Sequence, residues 1–122
     1  MNMTAAYLTL TLITSVAALG GAVLNLTAHR IPVTQARRLG VPVGWLTFPI
    51  GTAYGLGFLG LVAGLAVPVV GILAAAGFVV FFVLAIGAHL RVGDRGLAGP
   101  IGGLALSLAT LVVTWMYAAG QG

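Results

Sequence analysis

Four long apolar stretches, Ala5–Thr27, Phe48–Ala66, Pro68–Leu90 and Pro100–Ala119, take up most of this 122-residue chain. Wound as helices that rise about 1.5 Å per residue, each reaches about 30 Å, the thickness of a hydrocarbon core. What remains is too poor in charge to clothe a soluble fold: 5% of residues are charged, against about 25% in an ordinary soluble domain. Five arginines, one aspartate and two histidines do not cover a water-facing surface. The expected fold is therefore all-α, an integral membrane bundle of four transmembrane helices forming a single domain over residues 1–122.

Prolines set the boundaries. Pro68 interrupts what would otherwise be one apolar run, and proline suits a first helical turn while forbidding an interior one. The second and third spans should form a tight hairpin there. Pro49 and Pro100 mark the starts of the second and fourth spans by the same rule. The segment before the first span lacks the positive n-region and cleavage site of a signal peptide, so the first span is expected to be retained.

All five arginines lie in two connections: Arg30, Arg37 and Arg38 in residues 28–47, and Arg91 and Arg95 in residues 91–99. With four spans these connections share one side, which the positive-inside rule makes cytoplasmic, with both termini outside. Tyr7, Trp115 and Tyr117 then fall at the outer level and Trp45 at the inner one, as interfacial aromatic belts do. A bacterial plasma (inner) membrane protein is expected. The formal charge of +4 does not indicate nucleic acid, because no soluble domain carries a basic patch interleaved with aromatics. In the longer connection, Thr34 is placed to cap a single turn of interfacial helix whose arginines reach lipid phosphates; otherwise the loop only sets orientation.

Chemistry is sparse. Without cysteine there are no disulfides or thiol relays. Asp94, the one carboxylate side chain, stands between Arg91 and Arg95 and is expected to pair with an arginine and shape the turn. A lone carboxylate does not furnish the acid and base of a hydrolase, and no ionisable residue lies deep in a span, which disfavours coupled transport. His29 and His89 both stand at arginine-side helix ends, where a haem bridged between the first and third spans is conceivable. Against that, a histidine at a helix C-terminus is favoured by the dipole and reaches water. No metal site and no cofactor are predicted, with quinone and haem as the candidates.

Helical spacing aligns Thr11, Ser15, Ala18, Ala22, Asn25 and His29 on the first span, and Gly103, Ser107, Thr110, Thr114 and Tyr117 on the fourth. Both stripes should face the bundle interior, either as packing surfaces or as the lining of a cavity. Ala53, Gly57, Gly60 and Gly64 form a small-residue face on the second span, with Gly51 and Gly55 on another, suited to close helix contacts.

The stretch Ala85-Ile86-Gly87-Ala88-His89-Leu90-Arg91-Val92-Gly93-Asp94, preceded by Val41-Pro42-Val43-Gly44-Trp45-Leu46 and a glycine-rich second span, resembles the DoxX-like family of small four-helix bacterial membrane proteins. The resemblance runs over nearly the whole chain, and Ala88-His89-Leu90-Arg91 with Asp94 is its most specific piece. Many relatives carry a Lys or Glu early in the second span, where this chain has Gly51-Thr52-Ala53-Tyr54, so a function resting on that charge is not expected here. The family's name is shared with membrane subunits linked to thiosulfate:quinone oxidoreduction, and other members are described as membrane partners of redox enzymes. The resemblance implies no catalytic residue, and singles out His89, Arg91 and Asp94 as a candidate site at the cytoplasmic edge.

Three functions follow as expectations. The first is a small non-catalytic subunit or accessory protein of a membrane complex, meeting lipid and another membrane protein, or itself, through Gly/Ala helix faces. The second is a carrier for an apolar molecule such as a quinone or lipid, held between the first and fourth spans near Ser15, Asn25, Thr110 and Tyr117, with Tyr54 a further candidate contact. The third, an oxidoreductase in its own right, requires a cofactor. A carrier would show an apolar cavity with a few convergent polar groups.

Overall fold

The computed structural model describes residues 2–121. Helix α1 runs over Met3–Leu26, α2 over Arg30–Leu39, α3 over Thr52–Ala63, α4 over Pro68–Arg91 and α5 over Ala98–Gln121, with a 3₁₀ turn at Val43–Leu46 and a π-type turn at Thr47–Gly51 leading into α3. Four segments are long and apolar enough to cross a membrane: α1, Val43–Ala63, α4 and α5. They form a ring in which α1 packs on α3 and α5, and α4 packs on α3 and α5. The two arginine-bearing connections close one end, here the arginine end. The chain termini and the α3–α4 turn lie at the other.

Local chemistry explains the boundaries. Asn2 caps α1 by accepting the Ala5 N–H at 2.7 Å. Pro68 occupies the first turn of α4, as expected, and the hairpin is tight. The second span departs from expectation at both ends. It begins early, at Val43, and the backbone at Phe48 is extended (φ −144°, ψ 128°), so regular α-helix starts at Thr52 rather than at Pro49. Thr52 steadies that junction by donating its hydroxyl to the Thr47 carbonyl. At the far end α3 stops at Ala63, because Gly64–Ala66 form the turn.

The longer connection holds the largest correction: in place of a single turn capped by Thr34 there is a ten-residue helix, α2, capped by His29, whose Nδ1 accepts the Ile31 N–H at 3.2 Å. Pro32 is tolerated because it lies in the first turn, where the N–H has no intrahelical partner. Gly40, at φ +73°, ends the helix in a Schellman motif: Val41 N–H donates to Ala36 O and Gly40 N–H to Arg37 O.

The bundle is packed with small and hydroxylated side chains inside and large aliphatic ones outside, as suits lipid. Thr11, Thr14, Ser15, Ala18, Ala22 and Asn25 are buried on α1, facing Ser107, Thr110 and Thr114 of α5. Most of both stripes thus faces the interior as expected, and Thr14, beside the first stripe, joins Thr110 through a 2.7 Å hydrogen bond. Gly57 lies under the Phe78 ring, Gly60 against Ala74, and Gly64 backbone to backbone with Gly71. The small face of the second span is thus spent on α4. Leu12, Leu56, Leu73 and Leu84 point outward.

Tyr7 and Tyr117 stand at the terminal end of the bundle and turn toward each other. Their rings stack at 4.2 Å, and the buried Tyr7 hydroxyl donates to the Gly64 carbonyl at 3.0 Å, tying α1 to the α3–α4 turn. Trp115 and Trp45 do face outward, at opposite ends.

Candidate functional site

A cavity of about 600 Å³ opens within the arginine-end half of the bundle. Thr14, Ala18 and Asn25 of α1 line one side, and Gly103, Leu106 and Ser107 of α5 another. An aromatic wall of Tyr54, Phe78, Phe81 and Phe82 stands between them. These rings hold one another edge to face, Tyr54 to Phe81 at 4.9 Å and Phe81 to Phe82 at 5.2 Å. The backbone glycines behind them give the rings their room: a side chain at Gly21 would collide with Tyr54, one at Gly57 with Phe78, and one at Gly103 with Phe82. Across the arginine end lies α2, which presents Pro32, Gln35, Ala36 and Leu39 to the cavity.

The polar groups gather at that end. His89, 2% exposed on the last turn of α4, also lines the cavity. Its Nδ1 is 2.8 Å from the Ala85 carbonyl, which only accepts, so Nδ1 carries the proton. In the neutral ring Nε2 is then an acceptor, and Gln35 Nε2 donates to it at 3.1 Å. Asp94 Oδ2 lies 4.0 Å from the same nitrogen. Asn25 is the next polar group, with its amide donating to Gly21 O at 2.7 Å.

Asp94 pairs with neither neighbouring arginine. Its Oδ1 accepts the Gly96 N–H at 2.8 Å, and its Oδ2 sits 2.8 Å from Arg38 Nε of α2. Arg91 reaches α2 as well, donating to the Leu39 carbonyl at 3.3 Å, while Arg95 is exposed. Arg91 ends α4 and turns to Leu39, and Arg95 faces outward, so the partner comes from across the end of the bundle. The Gly96 N–H does most to hold the Asp94 carboxyl below its ordinary value; partial burial opposes it, and the charge of Arg38 adds to the lowering. A carboxyl depressed in the fold stabilises it above the ordinary carboxylate range, and that contribution fades as pH falls through the depressed value. Thermal unfolding of the detergent-solubilised protein should therefore show a melting temperature that falls on acidification. Asp94→Asn should melt lower at neutral pH, and the two curves should converge in acid; parallel curves would refute the assignment.

Of the residues singled out in the sequence, the structure gathers His89, Asn25 and Tyr54 around the cavity, with Asp94 and Arg91 behind α2. Of the four residues expected to hold a ligand between the first and fourth spans, Asn25 lines the cavity, whereas Ser15 and Thr110 are buried outside its lining and Tyr117 is stacked on Tyr7. His29 does not join His89: it is exposed at the start of α2, two turns from Gln35, with its Nδ1 committed to the cap. Among the described residues no three His, Cys, Asp or Glu side chains come together as a metal site. Gln35 and Arg38 were not visible as site residues. Their only signal is that they share the face of a helix whose existence the prolines and glycines around it conceal.

The arrangement places the polar groups His89 and Gln35 at one end of an otherwise apolar and aromatic chamber. No curated protein and no solved structure matches the chain. The model of the DoxX-like family matches residues 9–117, nearly the entire length, and this small helical membrane-type protein belongs to that family.

Proposed function

We propose that the protein is a carrier for an apolar membrane molecule of the quinone or lipid class, bound in the cavity with its polar head toward His89 and Gln35. The observation that carries this reading is the chamber itself, about 600 Å³ with an aromatic wall and polar groups at one end, within the range of small-molecule sites. A flat ring suits the Tyr54–Phe81–Phe82 wall, and an apolar tail suits the rest. The reading places the protein in a bacterial inner membrane with the arginine end in the cytoplasm, following the arginine distribution. Service purely as an accessory subunit has less support, since the face of Gly57, Gly60 and Gly64 that would meet a partner is occupied by α4.

The test uses Trp45, which lines the cavity, with Trp115→Phe removing the other indole. Titration of the nanodisc-embedded protein with a short-chain benzoquinone should quench Trp45 saturably at micromolar concentration. Ala88→Phe, which fills the chamber, should abolish saturation. Quenching that rises linearly and equally in both proteins would reduce the effect to partitioning and overturn quinone binding; a phospholipid retained stoichiometrically in native mass spectrometry would assign the chamber to lipid.

A further inference from the structure

Each seam of the four-span ring carries a close contact. Between α3 and α4 Gly57 lies under Phe78, and between α4 and α5 Gly103 lies under Phe82. Gly21 receives the Tyr54 ring between α1 and α3, and Thr14 bonds Thr110 between α1 and α5. Passage of a ligand between spans at these levels would have to undo a close contact. Helix α2 is held differently. Only Pro32, Ala36 and Leu39 are buried on it, and its ties to the α4 end are polar: Arg38 to Asp94, Gln35 to His89, and the longer bond from Arg91 to the Leu39 carbonyl. Arg38 is 55% exposed on its side chain, so water competes for its ion pair. Each end of α2 adjoins a residue in the left-handed region, where the chain changes direction. Ala28 has φ +52°, a conformation rare for a residue with a side chain, and Gly40 has φ +73°.

We propose that α2 is a hinged lid over the cavity, latched by Asp94 on Arg38 and by His89 on Gln35, and that the cavity is reached beneath it from the arginine end. The latch and the site are physically joined, because His89 lines the chamber and bonds the lid with the same ring nitrogen. A head group that takes His89 Nε2 displaces Gln35 and so loosens the lid from inside, while loss of the Asp94–Arg38 pair loosens it from outside. The lid stands on the packing of α2 alone; the passage of ligand under it rests on the carrier reading above.

The chain has no cysteine, so one introduced thiol reports one position. Ala36→Cys places it on the buried side of α2, and Ala75→Cys, at a position with no exposure in the bundle core, serves as control. In nanodiscs, labelling of Ala36→Cys by a water-soluble maleimide should accelerate about three- to fivefold when Asp94→Asn is added, the scale of one partly exposed ion pair. Arg38→Gln, breaking the same pair from its exposed side, should match it, and the two together should add nothing further. Ala75→Cys should stay unlabelled throughout. Unchanged labelling of Ala36→Cys in both variants would overturn the lid, as would labelling of Ala75→Cys, which would mean that the whole bundle had loosened. Accelerated labelling in a protein that shows no saturable quinone quenching would keep the lid and remove the ligand, so the two failures are distinguishable.

Discussion

Substituting valine for Gly64 is expected to destroy the folded bundle. A Cβ built at Gly64 would stand 2.5 Å from the Gly71 Cα and 2.7 Å from its nitrogen. Both are backbone atoms, with no side chain to swing aside. Overpacking relieved by side-chain shifts costs about 1–3 kcal/mol; here α3 and α4 must separate, and the Gly64 carbonyl that receives the Tyr7 hydroxyl moves with them. The effect should reach the top of that range or exceed it, seen as aggregation on detergent extraction or a collapsed melting transition. Gly55, in the same helix, has nothing within 4 Å of its added Cβ, and Gly55→Ala should change stability by no more than about 1 kcal/mol, in the stabilising direction. A Gly64→Val protein that melts with the wild type would refute the backbone contact.

The second large effect is expected at His89. Replacing it by leucine keeps most of the volume and removes both ring nitrogens, leaving the Gln35 amide without its partner at the end of an apolar chamber. An amide orphaned when half-buried costs at most about 1 kcal/mol, the low end for an unsatisfied buried group, and a ligand head placed there loses its anchor. Quinone affinity, read from Trp45 quenching, should fall by about tenfold or more, corresponding to about 1.4 kcal/mol. Arg95→Ala, exposed and away from the cavity lining, should leave it unchanged. Wild-type affinity in His89→Leu would remove the head group from this end of the chamber.

These expectations divide along a line that the residues themselves draw. The α4 start at Pro68, the inward hydroxyl stripes and the service of Gly57, Gly60 and Gly64 in close packing are all legible in the sequence. Each rests on interactions within one helix or on a periodicity that needs only a neighbour of some kind. The same logic failed for α2. Pro32, Gly40, Pro42 and Gly44 read as loop signals, yet one falls in a permissive first turn and the others lie beyond the helix end.

The partner of Asp94 and the fates of the two tyrosines were beyond reach for a different reason. Arg91 and Arg95 are nearest in sequence, but the turn directs the carboxylate across the bundle end to Arg38. Tyr7 and Tyr117 have the composition of an interfacial belt, and only the approach of α1 to α5 stacks them on each other. Hydropathy and helical period thus determined by themselves that the chain is a four-span bundle with its arginines at one end, because lipid imposes that on any such sequence. The tertiary structure alone decided where the empty space lies. A cavity is what remains when helices of particular tilt and side-chain volume fail to meet, and here that failure falls between the aromatic wall and α2, with His89 at its edge.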